Sequence, residues 1–211
     1  IKGSYFLIFF LIFILFAGFH ELFSSFKRGI TIFFLSLILI LSLFSIYYLR
    51  VSSEDSVLVL YFVIAISISS DIGGYVFGKI FKWKKLTKIS PKKTISGVFG
   101  SYFFSVICLV VFLNIWTRDF TELFPAFINI RSFLVAIIFS TVAQFGDLTI
   151  SYFKRLEKIK DTGKILPGHG GIFDRIDGLM FVVILASLLY YLTKMELIQN
   201  PQTGTFLWLL L

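Results

Sequence analysis

The chain has 211 residues, of which 57% are hydrophobic, and a formal net charge of +8. Its mean hydropathy is +0.92. Soluble domains contain roughly 45–50% apolar residues, so this composition excludes a soluble globular domain and indicates an integral membrane protein. No nucleic-acid partner is predicted, because the cations are concentrated in loops between apolar segments. The single cysteine, Cys108, excludes a disulfide framework within the chain.

Six apolar segments follow one another along the chain, each close to the ~20 residues that cross a ~30 Å hydrocarbon core. They cover residues 4–19, 30–49, 57–77, 97–117, 131–153 and 178–193. We predict an all-α, polytopic membrane bundle of about six transmembrane helices, forming a single domain over residues 1–211. Residues 205–211 are predicted to add at most a partial or interfacial helix. Because the chain begins with Ile1 rather than Met, we expect that an upstream segment is missing.

Basic residues are distributed unevenly between the two sides of this predicted bundle. The loop over residues 78–96 contains seven lysines and no acidic residue, and residues 154–177 contain six cations, whereas 50–56 is nearly balanced. Cytoplasmic loops of membrane proteins carry an excess of Lys and Arg. The pattern therefore places the 78–96 and 154–177 loops in the cytoplasm. Most of the lysines between positions 79 and 88 need only solvent or anionic lipid as partners.

Two apolar segments carry an aspartate close to their cytoplasmic end. Asp71 lies eight residues before Lys79, and Asp147 lies seven residues before Lys154. These separations correspond to roughly 10–12 Å along a helix. A lone ionised carboxylate is costly at that depth, so each aspartate is expected to face a cation or a metal ion. The alternative is that these aspartates, with the serines and glycines around them, only pack helices together.

The most polar stretch of the chain precedes the sixth apolar segment and contains Asp174 and Asp177. Their spacing puts both carboxylates on one face of a helix that begins there. Acidic residues also complement the dipole at a helix start, which is the purely structural explanation. The preceding Gly170 and Gly171 would let backbone N–H groups approach a phosphate, and carboxylates beside a phosphate predict Mg²⁺ between them. His169 is expected to contact phosphate, with a proton carrier, a turn residue or a metal ligand as alternatives.

A second candidate anion site lies just before the fourth apolar segment, in the stretch Ser90-Pro91-Lys92-Lys93-Thr94. Proline is favoured in the first turn of a helix and serine as its cap, so a helix is expected to begin at Pro91. The free N–H groups of that turn, two lysines and a hydroxyl would together bind an anion.

These segments resemble the signature of the bacterial CDP-diacylglycerol synthases, also called phosphatidate cytidylyltransferases. The longest match is Ser151-x2-Lys154-Arg155-x4-Lys160-Asp161-x-Gly163-x2-Leu166-Pro167-x-His169-Gly170-Gly171-x2-Asp174-Arg175-x-Asp177. Two shorter stretches are also similar, Ser70-Asp71-x-Gly73-Gly74-Tyr75 and Ser90-Pro91-Lys92-Lys93-Thr94-x2-Gly97. The motifs thus cover residues 70–180. The family usually has an acidic residue where this chain has Ser96, and its members are commonly longer at the N-terminus.

The resemblance implies transfer of a cytidylyl group from CTP to phosphatidate, which gives CDP-diacylglycerol and pyrophosphate in phospholipid biosynthesis and requires Mg²⁺. It implies a multi-pass protein of the bacterial inner (plasma) membrane, surrounded by membrane lipids, with its active site facing the cytoplasm. A second, monovalent cation and a homodimer are left open. The competing interpretations are an ion-coupled secondary transporter, with Asp71 and Asp147 as coupling sites, and another membrane phospholipid transferase.

The same resemblance implies roles for individual residues. The predicted catalytic residues are Asp147, Lys160, Asp161, Asp174 and Asp177, of which Asp147, Asp174 and Asp177 are the predicted Mg²⁺ ligands. The predicted substrate-binding residues are Asp71, Ser90, Lys92, Lys93, Thr94, Lys154, Arg155, His169, Gly170, Gly171 and Arg175. The cations of this set would neutralise phosphate groups, and residues 169–171 would shape the nucleotide loop.

Overall fold

Six helices form the part of the chain that the structure describes. The structure is a computed structural model, and it describes residues 4–87, 89–117, 130–163 and 170–199. The helices are α1 (Ser4–Ser25), α2 (Gly29–Val51), α3 (Glu54–Phe81), α4 (Ile95–Thr117), α5 (Ile130–Leu156) and α6 (Phe173–Gln199). Each contains a segment long and apolar enough to cross a membrane. The prediction of an all-α, six-helix membrane bundle is confirmed, while the element predicted at 205–211 lies outside the described residues.

The start of α4 corrects one prediction. The helix begins at Ile95, not at Pro91. Residues 90–93 form a turn in which the Lys93 N–H donates to the Ser90 carbonyl at 3.1 Å. Proline suits the second position of such a turn as well as it suits the first turn of a helix, because both need the same φ. The cap of α4 is instead Thr94, whose hydroxyl accepts a hydrogen bond from the Gly97 N–H at 3.1 Å.

The helices α3 and α4 approach each other closely through glycine. A Cβ atom built on Gly73 would collide with the Gly100 carbonyl group, and one built on Gly100 would collide with Gly73 and Phe77. Association of helices in a membrane depends on van der Waals packing, which small residues improve by letting backbones approach. Ser101 adds a hydrogen bond of 2.7 Å from its hydroxyl to the Ser70 carbonyl. This contact fixes the depth of the neighbouring Asp71 relative to α4.

Two apolar clusters fill the interior, and large apolar side chains cover much of the outer surface. One cluster is centred on Phe62 and Phe139 in α3 and α5. The other packs the hairpin of α1 and α2 against α6, with Leu39 and Phe173 fully buried. Outward side chains such as Phe16 on α1 are exposed, as expected where lipid tails are the neighbours.

The loops that carry the motifs lie at one end of the bundle. Because consecutive helices run in opposite directions, the C-terminal ends of α1, α3 and α5 meet the N-terminal ends of α2, α4 and α6 there. The end carries residues 26–28, 82–94 and 157–172, and we call it the motif end. Backbone N–H groups of Lys27 and Arg28 donate to the Glu157 carboxylate at 3.3 and 3.1 Å, which attaches the first of these loops to the third.

Candidate active site

A polar cavity of about 470 Å³ lies at the motif end between α3, α4, α5 and α6. It is lined by the acidic residues Asp71, Asp147, Asp161, Asp174 and Asp177 and by the basic residues Lys92, Lys93, Lys154 and Arg175. All nine were predicted to belong to the site, as were Ser90 and Thr94, which also line it. With five carboxylates and four cations, the cavity suits a ligand that combines a cation with several phosphate groups.

Other predicted site residues do not line the cavity. Arg155 is exposed, and its Nε donates to the Ile89 carbonyl at 3.3 Å. It follows Lys154 directly in α5, and successive side chains of a helix point about 100° apart, so only one of the two can face the cavity. Lys160, Gly170 and Gly171 are also absent from the lining. His169 lies outside the described residues.

Three aspartates from three helices gather around one part of the cavity. The carboxyl groups of Asp147 and Asp177 lie close together, and Asp71 interacts electrostatically with both. The close approach of α5 and α6 explains this contact, since a Cβ atom built on Gly178 would lie 2.9 Å from the Ala143 carbonyl oxygen. Lys93 pairs with Asp147 at 2.5 Å. Lys93 also interacts electrostatically with Asp71, so a single lysine compensates two of the three carboxyl groups.

Asp174 is held by a different set of donors. Its Oδ1 accepts a hydrogen bond from Lys154 Nζ at 2.7 Å, and its Oδ2 accepts from the backbone N–H groups of Thr162 and Gly171 at 2.8 and 3.0 Å. The side chains of Lys154 and Asp174 are only 12% and 11% exposed. A paired, hydrogen-bonded carboxylate of this kind ties the end of α5 and the following loop to the start of α6.

The carboxylates of the cavity agree in part with the predicted Mg²⁺ ligands. Within the described ranges, no three His, Cys, Asp or Glu side chains already form a metal-binding group. Asp147 and Asp177 are nevertheless in contact, with Asp71 nearby. Hard divalent cations prefer carboxylate oxygens completed by water and substrate phosphate, so two or three carboxylates are a sufficient protein contribution. Asp174 has both oxygens engaged by nitrogen donors, and its role as a ligand stays a prediction.

The loop between α3 and α4 brings Lys93 and Thr94 to the cavity as one arm of a short hairpin. An antiparallel bridge joins Lys85 to Thr94, and the Leu86 N–H donates to the Lys93 carbonyl at 2.8 Å. Ser96, where the family resemblance led us to expect an acidic residue, is buried, and its hydroxyl lies 3.0 Å from the Thr94 hydroxyl. A hydroxyl pair therefore occupies the place of that carboxylate at the start of α4.

Glu21 contributes to this region although the sequence interpretation gave it no role. It lies near the end of α1, is 1% exposed, and accepts hydrogen bonds from the Ile172 and Phe173 N–H groups at 2.6 and 3.2 Å. An acidic residue just after the first apolar segment was the available signal, but nothing in the sequence indicates which loop it meets. Cavity residues outside the predicted set are Ser70, Gly74, Tyr75, Gly97, Val98, Ser101 and Gln144.

The amides of the glycine-rich loop contact the protein's own carboxylates. The Gly171 N–H donates to Asp174, and the next two N–H groups donate to Glu21. Gly170 adopts a positive φ of 87°, which favours glycine and turns the chain into α6. Of these donors, only the Gly171 N–H was expected to bind substrate phosphate, and that role stays a prediction. The three N–H groups together fix the start of α6, because a helix leaves its first N–H groups without partners.

The fold and the cavity define a multi-pass membrane protein with a cavity at one end that is lined by acidic and basic side chains. Comparison with known proteins is more specific, since the profile of the cytidylyltransferase family matches residues 2–193. The chain therefore belongs to the cytidylyltransferase family.

Several curated relatives carry the name phosphatidate cytidylyltransferase. Those of Staphylococcus epidermidis strain RP62A and Staphylococcus haemolyticus strain JCSC1435 are 41% and 42% identical over 128 residues. That of Staphylococcus aureus strain COL is 44% identical over 122 residues. Each match covers 57% of this chain and 44% of the relative, so the chain spans under half of the length of these proteins.

Proposed function

We propose that this chain catalyses cytidylyl transfer from CTP to phosphatidate in a bacterial plasma membrane. An oxygen of the phosphatidate phosphate attacks the α-phosphorus of CTP. The bond from that phosphorus to the bridging oxygen of the β-phosphate breaks, and pyrophosphate leaves. The products are CDP-diacylglycerol and pyrophosphate. The proposal is supported by family membership and by the names of the relatives.

The observation that carries the proposal is the convergence of three separate motif segments on one cavity. Asp71 comes from α3, Lys93 from the 82–94 loop, and Asp147 and Asp177 from α5 and α6. Both substrates are polyanions that repel each other, so the main catalytic demand is to position them and to stabilise charge on the leaving pyrophosphate. The four basic lining residues suit that demand. The phosphate of phosphatidate is already ionised near neutral pH, so little general-base assistance is needed.

Three of the basic residues that line the cavity lie at different depths. Lys154 is held at the start of α6 by Asp174, whereas Lys93 lies against Asp147 and the Gln144 carbonyl, farther into the bundle. Lys92 is exposed on the turn before α4. We assign the deeper Lys93 to the reacting phosphate and the outer cations to the rest of the triphosphate chain.

Mg²⁺ is the proposed cofactor, with Asp147 and Asp177 as its protein ligands and Asp71 as the third candidate. Mg²⁺ bound there would neutralise negative charge on phosphate oxygens of the substrates. The contact between the two carboxyl groups supports this assignment, because like charges held together favour an intervening cation. The second, monovalent cation and the homodimer stay predictions.

The motif end is proposed to face the cytoplasm, where CTP is available. The side chains of Lys79, Lys82, Lys84 and Lys85 are exposed at this end, and an excess of basic residues is typical of cytoplasmic loops. The exposed Trp83 beside them suits the boundary between lipid and water. The carboxylates of the cavity belong to this one end, which favours an enzyme over the transporter alternative.

The test uses the purified chain in detergent micelles with radiolabelled CTP and phosphatidate, with and without a chelator. Labelled lipid is expected only when both substrates and a divalent ion are present. Asp147→Asn should lower turnover by about 100-fold or more, as loss of a group that stabilises developing charge does. Lys84→Ala should leave it nearly unchanged. No labelled lipid from folded protein would overturn the activity, and undiminished product with chelator would overturn the metal requirement.

A further inference from the structure

We propose that Glu21 is a positioning residue, and that through it the α1–α2 hairpin holds the start of α6 in the geometry the cavity requires. Only the kinetic consequences of this inference rest on the proposed function. Glu21 does not line the cavity. Its action is therefore indirect, through the loop and helix that carry Asp174 and Asp177.

The first argument is the match between Glu21 and the donors it meets. A carboxyl group on a membrane-spanning helix is costly unless it is paired. Glu21 is 1% exposed and accepts hydrogen bonds from the N–H groups of Ile172 and Phe173. These N–H groups belong to the start of α6, where no helical carbonyl is available to them. One buried side chain of α1 thus caps a helix 151 residues farther along the chain.

The second argument is steric. A Cβ atom built on Gly163 would lie 3.0 Å from Glu21 Cγ, and one built on Gly171 would collide with Glu21 Oε1. Both glycines belong to the long motif, although neither lines the cavity. Their small size makes room for the Glu21 side chain. This explains two fixed motif positions without a contact to substrate.

The third argument is that the contacts of Glu21 interlock with those of Asp174. The N–H group of residue 171 donates to Asp174, and the N–H groups of residues 172 and 173 donate to Glu21. A shift of residues 171–173 would therefore move the hydrogen-bond donors of Asp174 and those of Glu21 at the same time. Asp177 lies one helical turn farther along α6 and would move with it. Loss of Glu21 should thus disturb the contact between Asp177 and Asp147.

A second carboxylate, Glu157, provides a natural comparison. It accepts hydrogen bonds from the N–H groups of Lys27 and Arg28 and so fixes the other end of the same loop to the α1–α2 hairpin. These bonds are exposed to solvent, so water can replace them at little cost. Glu157→Gln is therefore the matched carboxylate control for Glu21→Gln.

The kinetic test compares Glu21→Ala and Glu21→Gln with Leu11→Ala and Glu157→Gln in micelles, and Glu157→Gln should keep the kcat of the wild type because its hydrogen bonds are exposed to solvent. Leu11 is buried in the same helix, ten residues away, and controls for general destabilisation of α1. Glu21→Ala should lower kcat by about 100-fold, as misplacement of reacting groups by about 1 Å can do. The KM values for CTP and phosphatidate should change by no more than about twofold, because no substrate contact is lost. Glu21→Gln, which keeps one acceptor oxygen, should fall between Glu21→Ala and the wild type.

Hydrogen exchange of the segment 170–176 gives a readout that does not depend on activity. In Glu21→Gln the amides of residues 172 and 173 should exchange about tenfold faster than in the wild type, and Leu11→Ala should leave them unchanged. Unchanged exchange, or an equal loss of kcat in Leu11→Ala, would overturn the inference. If the wild type makes no lipid product, the proposed function fails, and the exchange measurement still decides whether Glu21 positions α6. If Glu21→Ala does not fold, the kinetic and hydrogen-exchange measurements are both made on Glu21→Gln.

Discussion

Substitution of Asp174 by asparagine tests the connection between α5 and α6 most directly. An asparagine can keep one acceptor oxygen, either toward Lys154 or toward the N–H groups of Thr162 and Gly171. The orientation of the asparagine that keeps more hydrogen bonds is the one that retains both backbone donors and loses the 2.7 Å contact with Lys154 Nζ. Because Lys154 is 12% exposed, its ammonium group is then buried without its partner. Breaking a buried ion pair from one side costs about 3–5 kcal/mol.

The same disturbance predicts a large kinetic effect, separate from the loss of folding stability. Turnover should fall by roughly 100-fold, because a shift of about 1 Å at the start of α6 misplaces the reacting groups. The assay is formation of labelled lipid from CTP and phosphatidate by monodisperse protein in micelles, together with its thermal unfolding. Wild-type stability and turnover in Asp174→Asn would refute the reasoning.

The partner variant separates a structural role of Asp174 from a role as Mg²⁺ ligand. Lys154→Met and Asp174→Asn should destabilise the protein by similar amounts, and the double variant should be less harmful than the sum, because neither charge is left unpaired. Raising the Mg²⁺ concentration should then restore little activity to Asp174→Asn. Restoration by Mg²⁺ would instead support the ligand role that the sequence predicted.

Two further predictions concern the contacts that assemble the carboxylate group. Gly178→Ala should cost about 1–3 kcal/mol of unfolding free energy and lower turnover, because its new methyl group would meet the backbone of α5. The control is Gly29→Ala, since Gly29 has open space around it. Equal effects in the two variants would contradict the packing argument. Lys93→Met should lower kcat/KM by roughly 10- to 100-fold, since the proposed charged hydrogen bond from Lys93 to the reacting phosphate, worth about 1.5–3 kcal/mol, is lost. Full activity of Lys93→Met at ordinary substrate concentrations would remove this lysine from the proposed phosphate site.

The fold class followed from local features of the sequence. Segments of roughly 20 apolar residues can bury their backbone polar groups in lipid only as helices, so six helices could be predicted without tertiary information. The ends of those helices were less certain. Pro91 suits both a turn and a helix start, and its place was decided by the bridge between Lys85 and Thr94.

The candidate site was predictable to the extent that chemistry is visible in residue type. Aspartates in apolar segments are costly, which marks them as candidates, and eleven of the residues selected from such features and from the family resemblance line one cavity. The direction of individual side chains was not predictable, and Arg155 points away from the cavity although its neighbour Lys154 faces it.

The amino-acid sequence by itself determined a helical membrane protein of the cytidylyltransferase family whose polar residues are concentrated at one end. Only the tertiary structure decided which carboxylates contact each other, which are neutralised by lysine, and that Glu21 of α1 caps α6. The reason is that composition and periodicity act over one or two helical turns, whereas these contacts join residues that lie between 20 and 151 positions apart. Such partners are selected by helix packing, where single glycines set how closely two backbones can approach.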